Sequence, residues 1–246
     1  MHFEPWQWAL MALGAAFAGF SKTGIPGLGI LFVAIFANLM PARQSTGLVL
    51  PLLIFADVFA YFVYRKNLNW ARVGRLLPWA LGGIAGGWVV LRYASDHQTT
   101  RIVGAVIAAM LALHLWRKWR GTAEAAAQAP AWFGPFAGLM AGFATMVANA
   151  AGPVMTLYLL AMRLPKLDFL GTGAAFFLVI NWIKVPFSAQ LGLLTGPSLT
   201  LNLWLLPAVA AGALAGPWVV QRVNQRVFEN AALGLAAAAV VKLLFF

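Results

Sequence analysis

From Ser45 to Tyr64 twenty residues pass with one charged side chain, Asp57. A run of that length and polarity is what an α-helix needs to cross roughly 30 Å of hydrocarbon. Such runs follow one another along the chain: Trp6–Phe20, Leu28–Leu39, Ser45–Tyr64, Gly74–Arg92, Arg101–Trp119, Trp132–Val147, Gly152–Met162, Phe169–Phe187, Leu199–Val220 and Phe228–Phe246. Lipid satisfies no backbone polar group, so a spanning segment must pair its own. The expected fold is therefore all-α, a polytopic membrane protein of about eight to ten transmembrane or re-entrant helices. Composition agrees, with 62% apolar residues, 9% charged and a mean hydropathy of +0.83. The Trp6–Phe20 run is too long, and too closely followed by others, to read as a cleaved signal.

The formal charge is +11. In a water-soluble chain that excess would suggest nucleic acid. Here the basic residues sit mostly in short links between apolar runs, which is the positive-inside pattern and an attraction to anionic headgroups. The partner implied is the lipid bilayer, not nucleic acid. The absence of cysteine excludes disulfides and thiolate chemistry. His2, His97 and His114 are scattered, and no His/Asp/Glu set has metal-ligand spacing, so no metal or cofactor is expected. Trp6, Trp8, Trp70, Trp116, Trp119 and Trp132 lie near segment ends, as residues of the headgroup belts do.

The two halves of the chain resemble each other. Gly19 aligns with Gly142, and Pro41, Gly47 and Asp57 align with Pro165, Gly171 and Asn181. Further on, Pro78 aligns with Pro207. Then Gly82, Gly86, Trp88, Val89, Val90, Arg92 and Gly104 align at one constant offset with Gly212, Gly216, Trp218, Val219, Val220, Arg222 and Gly234. The expected organisation is a first repeat over 1–120, a polar linker over 121–131 and a second repeat over 132–246. Gly82-x-x-x-Gly86 and Gly212-x-x-x-Gly216 are spaced for close helix contact. The link Arg65–Arg75 carries Arg65, Lys66, Arg72 and Arg75, whereas its counterpart Ser188–Asn202 carries no charge. Equivalent links of opposite charge character belong on opposite sides of the membrane, so the repeats are expected to be inverted. Arg117, Lys118, Arg120, Arg163, Lys166, Arg222 and Arg226 then fall inside, with Arg43, Arg92 and Arg101 as exceptions outside. Both termini fall outside if Trp6–Phe20 and Leu28–Leu39 each cross.

One stretch interrupts its run at membrane depth: Gly19-Phe20-Ser21-Lys22-Thr23-Gly24-Ile25-Pro26-Gly27-Leu28-Gly29. Four glycines and a proline cannot continue a regular helix, and broken backbone survives in lipid only inside protein or beside a polar cavity. The second half repeats the interruption from Gly142 through Thr145 and Asn149 to Gly152-Pro153. Paired broken helices point to a transporter binding site, and helix N-termini with a lysine favour an anion. The candidate substrate residues are Ser21, Lys22, Thr23, Gly24, Ile25, Pro26, Gly27, Thr145, Asn149, Gly152 and Pro153. The competing reading of Lys22 is a side chain snorkelling to an interface; the repeated Gly/Pro break favours the site.

Asp57 is the candidate proton-coupling carboxylate, since an ionisable group in a membrane helix faces a cavity or a partner. Its counterpart is Asn181, and Lys184 follows on the same helical face. A structural Asp57–Lys184 or Asp57–Lys22 ion pair, or an Asn181 that only bridges helices, are the plainer alternatives. Thr46 and Thr172 join the coupling or gating candidates because they start the helices that carry Asp57 and Asn181. No Ser-His-Asp set, Walker loop or catalytic carboxylate pair can be assembled, and Gly24-x-x-Gly27-x-Gly29 follows no strand. An enzyme is not expected.

The stretch Ala18-Gly19-Phe20-Ser21-Lys22-Thr23-Gly24-Ile25-Pro26-Gly27 resembles the opening signature of the TauE/SafE sulfite exporter family, also described as 4-toluene sulfonate uptake permeases. The likeness extends over nearly the whole chain in size, duplicated halves, the Pro41-to-Gly47 step and the central linker. The second break departs from it: Ala144 and Thr145 stand where Ser21 and Lys22 would be, so one half alone supplies the cation at the break. The resemblance implies a multi-pass transporter of the bacterial inner membrane for sulfite, sulfoacetate or a related organosulfonate; Asp57 adds protons as a candidate coupling ion. An anion channel-like pore and a non-transporting assembly subunit are the alternatives.

Overall fold

The computed structural model describes residues 3–40, 42–93 and 131–245, with Ala105, Ala108, Leu111 and Ala112 between them. Most of the expected Arg101–Trp119 run, the linker Arg120–Pro130, and Pro41, Arg101, Arg117, Lys118 and Arg120 lie outside the described residues. The described residues form helices and no strands. In chain order they are α1 Pro5–Thr23, α2 Gly29–Leu39, α3 Ala42–Tyr64, a 3₁₀ turn Arg65–Asn67, and α4 Trp70–Tyr93. After these come α5 Phe133–Ala148, α6 Ala151–Ala161, α7 Lys166–Gln190, α8 Gly196–Arg222 and α9 Gln225–Phe245. Spans within α3 with its following turn, α4, α7 and α8 are long and apolar enough to cross a membrane. The helix ends follow local chemistry. Glu4 and Gln7 close a capping box over α1 with Pro5 in its first turn, and Thr195 caps α8 through Ser198.

Both interruptions are present. α1 stops at Thr23, and α2 restarts at Gly29. Gly27 lies between them at φ +98°, where a Cβ would come 2.6 Å from the Cβ of Leu235 on α9, so this turn admits glycine alone. α5 stops at Asn149, which adopts the left-handed conformation at φ 50° as Asn readily does. α6 restarts two residues later. The short helices α2 and α6 are each 11 residues, too short to cross.

Packing is reciprocal. α1 lies on α8, where Cβ atoms at Gly19 and Gly212 would fall 2.0 Å and 1.9 Å from the carbonyls of Val209 and Ala16. α5 lies on α4, where Cβ atoms at Gly142 and Gly83 would fall 2.0 Å from the carbonyls of Ala80 and Leu139. Gly216 and Gly87 continue the two seams. In the first half the contact glycines are thus Gly83 and Gly87; Gly82 and Gly86 are exposed. The sequence alignment places Gly82 and Gly86 opposite Gly212 and Gly216, one residue from the contact face. The run Gly82-Gly83-x-x-Gly86-Gly87 offers both registers, and only burial chooses between them.

α3 and α7 cross with opposite chain directions. Gly47, near the start of α3, meets Leu193 beyond the end of α7, and Gly171, near the start of α7, meets Tyr64 and Asn67 beyond α3. Asp57 and Asn181 meet between. One apolar cluster gathers Met11, Phe32, Phe36, Leu48, Leu52 and Val209; the other gathers Leu76, Ile84, Met146, Leu157, Phe176 and Phe228. Meanwhile Phe62, Trp182, Leu203, Trp204, Leu214 and Trp218 are exposed. Large apolar side chains outside as well as inside mark a surface made for lipid. Trp6, Trp8, Trp70 and Trp132 are exposed near helix ends; Trp116 and Trp119 lie outside the described residues.

Candidate substrate site

The two interruptions face one cavity of about 70 Å³. That is room for a few waters or for a small ion held by its partners. Ser21, Lys22, Pro26 and Gly27 line it from the first break, and Thr145, Asn149, Gly152 and Pro153 from the second. α7 adds Gly173, Phe177 and Asn181. Gly27 and Gly29 stand at the start of α2, and Ala150, Gly152 and Pro153 at the start of α6. Both short helices therefore turn their N-terminal ends, with unpaired N–H groups and positive dipoles, toward the same space.

Lys22 occupies the last turn of α1, is 12% exposed, and is the ionisable side chain among the described lining residues. Its Nζ lies 2.8 Å from Asp57 Oδ1 and 3.8 Å from the centre of the Phe177 ring. The contact with Asp57 is an ion pair without the angles of a good hydrogen bond. Asp57 is fully buried, and its other oxygen accepts from Asn181 Nδ2 at 2.6 Å. Of the pairings open in the sequence, the one formed is Lys22–Asp57, and Asn181 bridges α7 to that pair. Snorkelling of Lys22 to an interface is not what the side chain does.

Lys184 is fully buried and serves the second break. Its ammonium donates to the Thr145 carbonyl at 2.7 Å and to Asn149 Oδ1. The Asn149 amide is oriented by its own Nδ2, which donates to the Thr46 carbonyl at 3.1 Å. A lysine thus closes the C-terminal end of α5 and holds the left-handed Asn149 in place. Each long crossed helix ties down one interruption: α3 through Asp57 to Lys22, α7 through Lys184 to Asn149.

Other predicted site residues lie elsewhere. Thr23 is fully buried, but its hydroxyl donates to the Ala213 carbonyl on α8 at 2.8 Å, away from the cavity. The Tyr64 hydroxyl donates to the Thr23 carbonyl. Gly24 and Ile25 do not line the cavity. Thr46 reaches the site through its backbone carbonyl. Thr172 accepts from the Asn69 amide at 3.2 Å, at the α3–α4 link. Residues that sequence reasoning did not single out complete the wall: Phe32, Met155, Thr156, Leu159 and Phe177. Apolar side chains in apolar helices carry no sequence signal for a cavity; Thr156 and Gly173, one polar and one small, were the available hint.

Helices long and apolar enough to cross a membrane, around a partly open cavity between paired broken helices, are the architecture of a multi-pass helical membrane transporter. Residues 11–243 match the family model of the sulfite exporter TauE/SafE, nearly the whole chain, and the chain belongs to that family. The family is one of membrane transporters for sulfite and related sulfur anions, not of enzymes. Neither the curated proteins nor the solved structures yield a match.

Proposed function

We propose that this protein is a secondary transporter that holds one small sulfur oxyanion or organosulfonate between its two interruptions and moves it by alternating access. The observation that carries the reading is Lys22, a nearly buried cation at a cavity toward which two helix N-termini converge. Lys22, Ser21, Asn149 and Asn181 bind the anion, with the N–H groups at the starts of α2 and α6. The size of the cavity favours sulfite-sized headgroups. The two repeats, over 1–120 and 132–246, are inverted and set in the bacterial inner membrane; the opposite directions of α3 and α7 support the inversion. In that arrangement α3 and α7 are the moving seam, and exchange of Lys22 between Asp57 and substrate links binding to motion. Asp57 accepts a proton when Lys22 turns to the anion, which couples transport to the proton gradient.

Thermal melting of the purified protein with sulfite, sulfoacetate, sulfate, thiosulfate and chloride tests the site. A bound anion raises apparent stability with its concentration over Kd. A sulfur anion is expected to stabilise selectively, and Lys22→Ala to weaken it about tenfold to a hundredfold, as for loss of a charged hydrogen bond. Equal stabilisation in Lys22→Ala would remove Lys22 from the site. Asp57→Asn is expected to flatten the pH dependence of transport, read as initial rates over a pH series; an unchanged profile returns Asp57 to a structural role.

A further inference from the structure

We propose that the cavity contains an apolar subsite, built by Leu159 and Gly173, for the carbon side of its substrate. It selects sulfonates with a short apolar tail over those whose tail ends in a hydroxyl or a second charge. The inference rests on the reading of the cavity as an anion site and adds which anions that site takes.

The polar side chains of the cavity gather at one level of α7. Lys22 Nζ lies against the Phe177 ring and the Asp57 carboxylate, and Asn181 holds Asp57 from α7. Thr145 and Asn149 meet Lys184, within a turn of Asn181. An anionic head in contact with Lys22 therefore sits near Phe177, Asn181 and Asn149, which all line the cavity.

Toward the start of α7 the wall changes character. Gly173 and Ala174 lie one turn before Phe177, roughly 6 Å along the axis, and Phe169 and Leu170 lie one turn before those. Leu159, near the end of α6, reaches the same level: a Cβ on Gly173 would lie 3.6 Å from Leu159 Cδ1. Thr156 is one turn earlier on α6. Past it, among the described lining residues, Leu159, Phe169, Leu170 and Ala174 are buried and offer no side-chain donor or acceptor. The cavity is thus polar around Lys22 and apolar from Gly173 onward, the pattern of a site that orients an amphipathic ligand.

A tetrahedral sulfur head has three oxygens for the polar end and one further direction. In sulfite that direction holds a lone pair, in a sulfonate a carbon, and in sulfate a fourth oxygen. Directed along α7, a three-carbon chain spans the turn from Phe177 to Gly173 and buries its surface against Leu159. A hydroxyl or carboxylate at the end of that chain loses its water and gains no partner. Short alkanesulfonates fit this wall; isethionate, sulfoacetate and sulfate do not.

The test is calorimetric binding of 1-propanesulfonate and isethionate to the purified full chain, with methanesulfonate as the head alone. The two longer anions share charge and length and differ in a terminal methyl against a hydroxyl. Propanesulfonate is expected to bind about tenfold or more tightly than isethionate. Gly173→Ala adds a methyl in ordinary contact with Leu159. It is expected to weaken propanesulfonate about threefold to tenfold and to leave methanesulfonate unchanged. Leu159→Asn gives the wall a polar group and is expected to bring the two longer anions close to equal affinity; if it does not melt cooperatively, Gly173→Ala decides. Equal affinities in wild type, a preference for isethionate, a preference that the variants leave unmoved, or binding of methanesulfonate or sulfite without propanesulfonate overturns the subsite and leaves the anion site standing. No binding of these or any other sulfur anion to wild type overturns the anion site itself.

Discussion

Thr23 shows how a hydroxyl in a signature stretch can face away from the chemistry. It sits beside Lys22 in the last turn of α1, and one residue of helix rotation turns it from the cavity to α8. Thr23→Val is expected to lower stability by about 1 kcal/mol through the lost bond to the Ala213 carbonyl, with anion affinity unchanged; melting and binding on the same sample separate the two effects. Lys22 and Asp57 were legible as a pair of chemically expensive residues at membrane depth, because charge in an apolar run has few explanations. Their mutual contact was one of two pairings open in the sequence. The target of Lys184 was not legible. It is a backbone carbonyl and an amide exposed by the end of α5, groups that no side-chain pattern announces.

At the level of elements, the interruptions were legible because Gly and Pro act on the backbone locally. The second break is held differently from the first, by the left-handed Asn149 and a lysine from α7. Helix seams were legible in kind but not in register. A Cβ at Gly83 would lie 2.0 Å from the Leu139 carbonyl, whereas one at Gly82 would lie 3.5 Å from a flexible Leu139 methyl. Gly83→Ala is expected to cost about 1–3 kcal/mol, as overpacking against backbone does. Gly82→Ala is expected to be neutral or to stabilise by up to about 1 kcal/mol through helix propensity. Parallel thermal melts decide it, and the reverse order would restore the register of the sequence alignment.

For the whole molecule, an all-α membrane protein followed from hydropathy alone, since lipid leaves a chain so few ways to pair its backbone. The sidedness of the repeats rests on charge in one link and its absence in the other, together with the opposed directions of α3 and α7. The chain has no cysteine, so single cysteines at Lys66 and at Leu194 report their sides without background. Membrane-impermeant thiol labelling is expected to reach the first from the cytoplasm and the second from outside; labelling of both from one side would mean parallel repeats. In the proposed function, the cavity between the two interruptions passes a small sulfur anion by way of Lys22. Sulfite counterflow in proteoliposomes of the purified protein tests it most directly. Saturable exchange that Lys22→Ala abolishes and Thr23→Val preserves is the predicted result; flux that does not saturate, or that Lys22→Ala leaves intact, would contradict it.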